Sequence, residues 1–447
     1  MKIMIDSDKL KDLLARLSTI KEEGTLDGEK ADRSENMHRL FMYPAMMVPA
    51  TQSAMIEAMT HILPSNSLAV DPFMGSGTSL LSCMEYGFGV FGQDINPFAV
   101  LLSRAKAACY DLDGFKKAFQ SIQEHIENDN ATDIDVSFAN IDKWFNKNVQ
   151  ISLSKIRRAI QAESCYDYRI FFWVVMSEVI RIGSNDRTST FKLHMRDQKD
   201  IENRKIDIIK EFLYYSKRGI EDLANYREKL QEEHLLDGYK FSGISEIVWG
   251  NTQKKIESDK KYDLLVSSPP YGDNHTTVTY GQTSYLPLQW IDPQDINCPY
   301  DYLKTTQEID RQSLGGRIDS KELKRGINSL LDKSPSLSAF YSVIPDDEKG
   351  NYKKTFAFIA DFDESLESIV NAMKPEAFYI WTIGNRFVGG REVPNAEILK
   401  DLMERRGASL FFDAERKISN KKQAKRNSSS QTMEKERILI FHQDKKE

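Results

Sequence analysis

Cysteine is scarce in this chain. The four cysteines, Cys83, Cys109, Cys165 and Cys298, are scattered over 447 positions, and no two of them form a Cys-x-x-Cys pair. This spacing argues against a zinc site and against a disulfide framework, and it is typical of a protein in a reducing cytoplasm. We therefore expect a cytoplasmic protein without a bound metal.

Long apolar runs are also missing. No stretch of roughly 18 apolar residues occurs, which argues against a transmembrane helix and a membrane partner. The first residues, MKIMIDSDKLKDLLARL, lack the apolar centre of a signal peptide. The chain is 40% hydrophobic and 29% charged, as expected of a soluble globular protein. Its length is sufficient for more than one domain and for a large core.

An excess of positive charge is absent, because 61 lysines and arginines face 67 aspartates and glutamates and leave a net charge of −6. This balance counts against nucleic acid as a partner, since DNA-binding proteins are often basic. Positive charge is concentrated, however, in RKISNKKQAKRNSSSQTMEKER, residues 416–437. Two interpretations stay open. The segment is either a solvated loop or a local phosphate-binding patch, which would use Lys421, Lys422, Lys425 and Arg426.

Strand and helix signals alternate in two separated parts of the chain. Residues 37–107 and 241–447 show this alternation, which predicts one α/β domain. Residues 108–240 are rich in helix formers with repeated apolar spacing, which predicts a long helical insertion. Residues 1–36 indicate a helical lead-in with a polar linker, and residues 284–355 have little pattern and are expected to be rich in loops.

The motif VDPFMGSGTSL places Gly75 and Gly77 between a strand and a helix. Thr78 stands where an ATP-binding Walker motif needs lysine, and the third glycine of a dinucleotide fingerprint is missing, so both nucleotide motifs are excluded. Glycine still allows a ligand to approach the backbone closely. Asp94, at the end of the next strand, is placed to accept hydrogen bonds from ribose hydroxyls. A structural turn remains the alternative for the glycine motif, whereas at Asp94 a helix cap is compatible with the ribose contact and we expect both.

A second motif, DLLVSSPPY, ends an apolar strand with Ser268, Pro269, Pro270 and Tyr271. Two prolines cannot continue a central strand, because each lacks an N–H group and has a fixed φ. The motif therefore predicts a rigid turn that carries a serine and a tyrosine at a strand end. Such a turn indicates an active-site edge, and a plain turn is the alternative.

Together, DPFMGSGT and SSPPY resemble the S-adenosylmethionine-dependent amino-methyltransferases of DNA, which methylate N4 of cytosine or N6 of adenine. In that family the first motif binds the cofactor, and an Asp/Asn/Ser-Pro-Pro-Tyr/Phe loop is catalytic, with serine typical of the cytosine-N4 enzymes. HRLFMYPAMMVP, GNRFVGGREVPNAEIL and KERILIF are also similar to segments of cytosine-N4 members. The resemblance covers most of the chain and is weakest over residues 1–36 and 108–240.

The resemblance implies a fold, a cofactor and a set of site residues. The fold would be a doubly wound, mostly parallel α/β sheet of the class I methyltransferase-like Rossmann type, with a large helical insertion. Ser268 Oγ and the Pro269 carbonyl would accept the hydrogens of the target amine, and Tyr271 would stack on the flipped base. The residues that would hold S-adenosylmethionine are Tyr43, Pro44, Asp71, Pro72, Phe73, Gly75, Ser76, Gly77, Thr78, Asp94, Ile95, Asn96 and Asn251. For Asn251, a simple loop amide is the alternative.

The segment that reads DNA bases is left open between two candidates. In the insertion, RIGSNDRTSTFKLHMRDQK mixes Arg187, Lys192 and Arg196 with serine, asparagine and threonine, which are residue types that contact phosphates and base edges. The other candidate is residues 284–355 together with the basic loop at residues 416–426. A solvated surface is the alternative for both.

These features predict a site-specific DNA cytosine-N4 methyltransferase that flips its target base, with double-stranded DNA as partner. A role in restriction–modification or phage defence adds a cognate restriction endonuclease or a defence subunit as a candidate partner. Three other functions stay open: an adenine-N6 enzyme, an RNA methyltransferase, and a catalytically idle DNA-binding or scaffold subunit. The intact Gly75, Gly77, Ser268 and Tyr271 weigh against the idle subunit.

Overall fold

The computed structural model describes residues 7–28, 37–188, 192–272, 278–296, 298–317, 320–418 and 434–443. In the helix that begins at Ser320, the side chains of residues 320–322, 324 and 325 are not included in the description.

The first part of the chain forms two helices and then alternates strand and helix. In chain order the elements are α1 (Ser7–Glu22), α2 (Pro49–Thr60), β1 (Leu68–Asp71), α3 (Thr78–Glu85), β2 (Gly89–Asp94) and α4 (Pro97–Ala107). At the start of α4, the Asn96 side chain accepts a hydrogen bond from the Phe98 amide at 3.0 Å, and Pro97 occupies the first turn. Both residue types suit a helix N-terminus, whose first N–H groups have no partner within the helix.

The insertion is helical, as the sequence predicts. It contains α5 (Leu112–Asn128), α6 (Ile141–Trp144), α7 (Lys147–Ala162), α8 (Tyr166–Gly183), α9 (Gln198–Asn203) and α10 (Ile208–Glu232). Helix α8 is buried along most of its length, and its Phe172 and Trp173 belong to the same apolar core as Phe98 of α4. The insertion therefore packs against the α/β part of the chain through a shared core.

The last part of the chain returns to strands but contains more helix than expected. Its elements are β3 (Leu236–Asp237), β4 (Lys240–Phe241), β5 (Ser245–Trp249), β6 (Tyr262–Ser267), α11 (Tyr280–Trp290), α12 (Glu308–Gln312), α13 (Ser320–Lys333), α14 (Pro335–Ser342), α15 (Lys353–Ala372), β7 (Met373–Ile383), β8 (Arg386–Val388), β9 (Arg391–Val393), α16 (Asn395–Glu404), β10 (Ala408–Lys417) and β11 (Lys435–Gln443). The expectation of loops over residues 284–355 is wrong, because helices α11 to α14 lie there. Helix α11 is buried on several faces and contains Pro287, so it has no amphipathic period to detect.

Within the described residues, the central sheet has seven strands in the order β10-β11-β7-β6-β1-β2-β5. Strands β5, β2, β1, β6 and β7 are parallel, and β11 is antiparallel to both of its neighbours. The chain runs from β1 outward to β2 and β5, and then returns to β6 on the other side of β1. This reversal creates a crevice at the carboxyl ends of β1 and β6, where doubly wound sheets bind ligands.

Apolar layers cover both faces of the sheet. Alternate residues of a strand point to opposite faces, so Ala69 of β1 joins one core and Val70 joins the other. Helices of the insertion and of the N-terminal part form the first core, and α13 to α16 contribute to the second. A mostly parallel sheet that is buried on both faces confirms the doubly wound α/β class.

One boundary differs from the sequence interpretation. The basic loop was expected to begin at Arg416, but Arg416 and Lys417 are the last residues of β10, and Arg416 pairs directly across the ladder with Glu436 of β11. Burial alternates from Phe412 to Lys417, after a register shift between Leu410 and Phe412, and the charged end of the strand hid this pattern. Over the ranges that the structure describes, no helix is long and hydrophobic enough to pass through a bilayer.

Candidate active site

A cleft of about 860 Å³, counted out to its open mouth, lies at the carboxyl ends of the parallel strands. Ser268 and Pro270 of the second motif line this cleft together with much of the first motif. The predicted cofactor residues on its wall are Tyr43, Pro44, Pro72, Phe73, Gly75, Ser76, Thr78, Asp94, Ile95, Asn96 and Asn251. The fold thus brings two motifs that are almost two hundred positions apart into one cavity.

Asp71 lies beneath the cleft wall and is 1% exposed. Its carboxylate accepts hydrogen bonds from Ser267 Oγ at 2.7 Å, from the Phe73 amide at 3.1 Å and from Ser79 Oγ. Burial raises the pKa of Asp71 to about 6. Ser267 ends β6 and Asp71 ends β1. Asp71 therefore joins the glycine turn, which contains Gly75 and Gly77, to the strand that carries the second motif.

The glycine turn itself is held by its backbone. Gly75 has a φ of +49°, and its N–H donates to Asp94 Oδ2 at 2.9 Å. Its carbonyl accepts from Ser103 Oγ at 3.1 Å. Gly77, with a φ of +74°, lies behind the turn, where an added Cβ would come within 2.8 Å of Ser103 Oγ. Both positions need glycine, one for its backbone conformation and one also for space.

A buried lysine supports the same turn from below. Lys106 of α4 is 0% exposed, and its Nζ donates to the Ser76 carbonyl at 3.0 Å. Burial lowers the pKa of Lys106 to about 7. The long side chain of Lys106 is thus fixed at its amine end, and it holds the carbonyl of Ser76 in place.

Asp94 presents a carboxylate at the end of β2. Its Oδ1 accepts from the Asn96 amide at 2.8 Å, while Oδ2 holds Gly75. Burial raises the pKa of Asp94 to about 6. The carboxylate has about four acceptor sites, and the backbone groups of Asn96, Gly75 and Ile95 use three of them, so one remains for a hydroxyl donor in the cleft.

Asn96 and Asn251 both line the cleft and both hold local structure. Asn96 Nδ2 donates to Tyr43 OH at 3.1 Å and to Ser284 Oγ at 2.9 Å. Asn251 Oδ1 accepts from the Gln253 amide at 3.0 Å, which forms a tight turn after β5. Asn251 therefore stabilises its own loop and also lines the cleft.

The catalytic-loop candidate starts where β6 ends. Pro269 is buried, and Ser268, Pro270 and Tyr271 are partly exposed. Ser268 Oγ lies 3.1 Å from the Tyr271 hydroxyl. Asn395 of α16 donates from Nδ2 to the Tyr271 carbonyl at 2.9 Å, which fixes the far end of the turn.

Tyr271 also contacts the antiparallel edge of the sheet. Its hydroxyl donates to Glu436 Oε1 at 2.9 Å, and Arg416 Nε donates to Glu436 Oε2 at 2.7 Å. Burial, together with the nearby charge of Glu436, raises the pKa of Tyr271 well above its ordinary value. The tyrosine therefore keeps its proton throughout the physiological range.

The DNA-contact candidates fall into two groups. Arg187 forms an exposed ion pair with Asp197 at 2.7 Å, Lys192 is exposed and Arg196 is partly buried. The Leu193 amide of this segment donates to Gln282 Oε1 of α11 at 3.0 Å, so the segment lies against the helix that follows the catalytic loop. The second group lies outside the described residues and comprises Lys421, Lys422, Lys425 and Arg426.

Several cleft residues have no counterpart in the sequence interpretation. Four of them come from α12 and the turn after it, within residues 284–355, which are expected to be loop, and Tyr280 begins α11. Thr252 and Gln253 directly follow the predicted strand end at Asn251, so their position in the sequence indicates that they lie at the cleft. The unpredicted lining residues include Met46, Met47, Thr252, Gln253, Tyr280, Ile309, Gln312, Ser313 and Leu314. Among the described residues, no cluster of three or more His, Cys, Asp or Glu side chains has the geometry of a metal site.

Sheet order and cleft position define a Rossmann-like α/β fold of the methyltransferase type. The chain is 31% identical over 431 residues to the Type II methyltransferase M.MvaI of Kocuria varians, and the match covers 91% of each chain. It is also 33% identical over 86 residues to the Type II methyltransferase M.MjaII of Methanocaldococcus jannaschii, which is 19% of this chain and 16% of that protein. The chain therefore belongs to the Type II DNA methyltransferases, and this membership implies S-adenosylmethionine as methyl donor.

Two other comparisons add nothing to this assignment. No protein-family model matches the chain. Among solved structures, the rRNA methyltransferase aviRa from Streptomyces viridochromogenes matches with a TM-score of 0.31 and 10% identity, over 89% of this chain and 86% of that one. A similarity at that level carries no argument about substrate.

Proposed function

We propose that this chain transfers the methyl group of S-adenosylmethionine to the exocyclic N4 amine of cytosine in duplex DNA, after the base has been flipped out of the helix. One observation carries the proposal: Ser268, the serine of the SPPY turn, lines the same cleft as Gly75 and Asp94. The serine form of this turn is the one that the family resemblance links to cytosine. The Type II relationship supports a role in restriction–modification, and a cytoplasmic location stays a prediction.

The cleft suits the cofactor on chemical grounds. A nucleoside with two ribose hydroxyls needs acceptors, and Asp94 supplies a carboxylate at the end of β2. Phe73, Ile95 and Leu314 give the wall the apolar surface that an adenine ring requires. The cofactor is a sulfonium and supplies an electrophilic methyl group. Asp71 lies beneath the wall, so we assign it to positioning of the turn rather than to direct contact.

Ser268 and the turn around it prepare the amine. The lone pair of an exocyclic amine is delocalised into the base, so the nitrogen is a weak nucleophile. Acceptors that hold its two hydrogens favour a more tetrahedral and more nucleophilic nitrogen. Ser268 Oγ and the Pro269 carbonyl supply such acceptors in this proposal, and the two prolines fix their separation.

The product nucleoside tests the proposal directly. We expect N4-methylcytosine in DNA from cells that express the chain, and much less of it in DNA from cells that express a Ser268→Ala variant. Digested nucleosides are separated by mass spectrometry, and sequencing of modified bases gives the recognition site. N6-methyladenine as the product would contradict the cytosine assignment, and methylation of RNA alone would contradict DNA as the substrate.

Cofactor affinity is expected to depend on pH through Asp94. The pKa of this carboxyl group is raised to about 6, so the group is increasingly protonated as the pH falls through that value. Protonation removes the charge that attracts ribose hydroxyls, so affinity should weaken below about pH 6. Calorimetric titrations between pH 5 and 8 should show this decline in the wild type and a flatter, weaker profile in Asp94→Asn. Parallel profiles in the two proteins would exclude Asp94 as the titrating contact.

A further inference from the structure

A chain of hydrogen bonds joins Ser268 to Tyr271, Glu436 and Arg416. Which group donates in each of these bonds follows from the protons that each side chain carries. Arg416 has only donors, and it donates to Glu436 Oε2. An ionised Glu436 has only acceptors, so the Tyr271 hydroxyl must donate to Glu436 Oε1. Tyr271 has a single proton, which is then in use. In the contact with Ser268, the tyrosine oxygen therefore accepts and Ser268 donates.

We infer that Glu436, paired with Arg416, is a positioning residue that makes Ser268 an acceptor on its cleft side. The single proton of Ser268 points to Tyr271, so both lone pairs remain for the hydrogens of an amine. A carbonyl group at the same place on a base would meet no donor. The inference rests on the proposed transfer to an exocyclic amine, and it adds to it a reason why the site prefers an amine to a carbonyl.

The sheet topology explains why these residues meet. Strand β11 runs antiparallel to β7, so its first residues lie at the carboxyl end of β7, and Arg437 pairs with Ile383. That edge also carries the turn after β6, because Ser267 pairs with Trp381. Arg416 faces Glu436 across the ladder.

Burial protects this ion pair. The side chains of Arg416 and Glu436 are 7% and 12% exposed. Burial of two charges costs desolvation energy, and apolar side chains could fill the same space without that cost. Arg416 also donates to the Leu26 carbonyl at 3.4 Å, so it is held from a second side.

Glu436→Gln is expected to reverse the chain of hydrogen bonds. Because Arg416 can only donate, the amide oxygen of the new side chain would face Arg416 and its NH₂ group would face Tyr271. Tyr271 would then donate to Ser268, and the Ser268 proton would point into the cleft toward the amine. Tyr271→Phe only removes the hydrogen-bond partner of Ser268, and it does not force the Ser268 proton to point into the cleft. Single-turnover methylation should therefore be slower in Glu436→Gln than in Tyr271→Phe.

The rate loss in Glu436→Gln should be about 10-fold to 100-fold, by analogy with the loss that follows removal of a residue that orients a metal-binding side chain. Cofactor affinity should stay within about twofold, since the glycine turn lies apart from Glu436. Asp363→Asn is the matched control, because Asp363 forms a similarly buried pair with Arg406 at 2.7 Å, with 5% and 11% of the side chains exposed. This control should lower the melting temperature and leave the rate unchanged.

A double-mutant cycle separates positioning from general damage. If Glu436 acts through Ser268, the variant with both Ser268→Ala and Glu436→Gln is no slower than Ser268→Ala alone. Additive rate losses would overturn the inference, as would a wild-type rate in Glu436→Gln. A wild-type rate in Ser268→Ala would overturn both the catalytic role of Ser268 and this inference, whereas the proposed function itself fails only if the product is not N4-methylcytosine. If Glu436→Gln does not fold, the same cycle is run with Tyr271→Phe, and additive rate losses there would overturn the assigned hydrogen bond from Ser268 to Tyr271.

Base binding gives a readout without turnover. One duplex carries the unmodified target base, which has the exocyclic amine. The other carries its deaminated counterpart, which has a carbonyl group at the same place. Binding of each duplex is measured with S-adenosylhomocysteine present. The wild type should prefer the amine, and Glu436→Gln should reduce this preference about 10-fold, which corresponds to one hydrogen bond. The preference of the wild type is divided by that of Glu436→Gln. The two duplexes differ in the cost of flipping the base, but this difference is the same for both proteins and cancels in the ratio. An unchanged preference in Glu436→Gln would contradict the assigned direction.

Discussion

Ser268→Ala is expected to slow single-turnover methylation by roughly 10²-fold to 10³-fold, equivalent to about 2.7–4 kcal/mol, the usual effect of losing one aligned polar contact in a transition state. The alanine removes the hydroxyl that lines the cleft and leaves the proline turn in place. Affinity for S-adenosylmethionine should hardly change, because the glycine turn and Asp94 provide its contacts in our proposal. The measurements are rapid-quench rates with saturating cofactor and calorimetric binding of the cofactor.

A buried serine elsewhere controls for the loss of a hydroxyl. Ser154 of α7 is 0% exposed, and its Oγ accepts from the Asp135 amide at 3.1 Å. Ser154→Ala should cost about 1 kcal/mol of stability, as the loss of a typical hydrogen bond does, with no change in rate. If Ser268→Ala methylates as fast as the wild type while both variants melt normally, the SPPY turn has a structural role alone.

The central strands could be predicted because each carries its own signal. Strands β1 and β6 are short apolar runs that end at turn residues, and the glycines and prolines after them show where the cleft must lie. The carboxyl ends of neighbouring parallel strands meet at one edge, so two motifs that are remote in sequence become neighbours. The fold class and the cleft position therefore follow from local sequence patterns.

Other features depend on contacts that sequence spacing does not reveal. Helix α13 has apolar residues at a helical period, but Gly326 near its middle weakens the helix signal. The role of Asp71 depends on Ser79 and Ser267, which reach it from two different elements. Arg416 was grouped with the basic loop, because only the register of β10 against β11 places it opposite Glu436. Hydrogen-bond partners across a sheet are decided by register, and the register is fixed by the whole core.

Gly75→Val is expected to abolish measurable binding of S-adenosylmethionine, with more than a 100-fold loss of affinity, in a protein that stays folded. The φ of +49° at Gly75 is a conformation that β-branched residues avoid, at a cost of about 1–2 kcal/mol. Contact is a smaller problem, since an added Cβ would lie 3.4 Å from Tyr43 Cε1. To relieve the strain, the backbone would rotate, and the Gly75 N–H would leave Asp94 Oδ2. Asp94 would then lose the contact that orients its carboxylate in the cleft.

Gly238→Val is the matched control for this experiment. Gly238 has a φ of +63° in the turn between β3 and β4, and an added Cβ would meet nothing within 4 Å. The substitution should cost a similar 1–2 kcal/mol of conformational strain, or a few degrees of melting temperature, and it should leave cofactor affinity unchanged. Calorimetry and thermal melting on the wild type and both variants make the comparison. Near-normal affinity in Gly75→Val would show that the turn does not hold the cofactor. Equal loss of affinity in the two variants would attribute the effect to strain in general rather than to the position of Gly75 in the cleft.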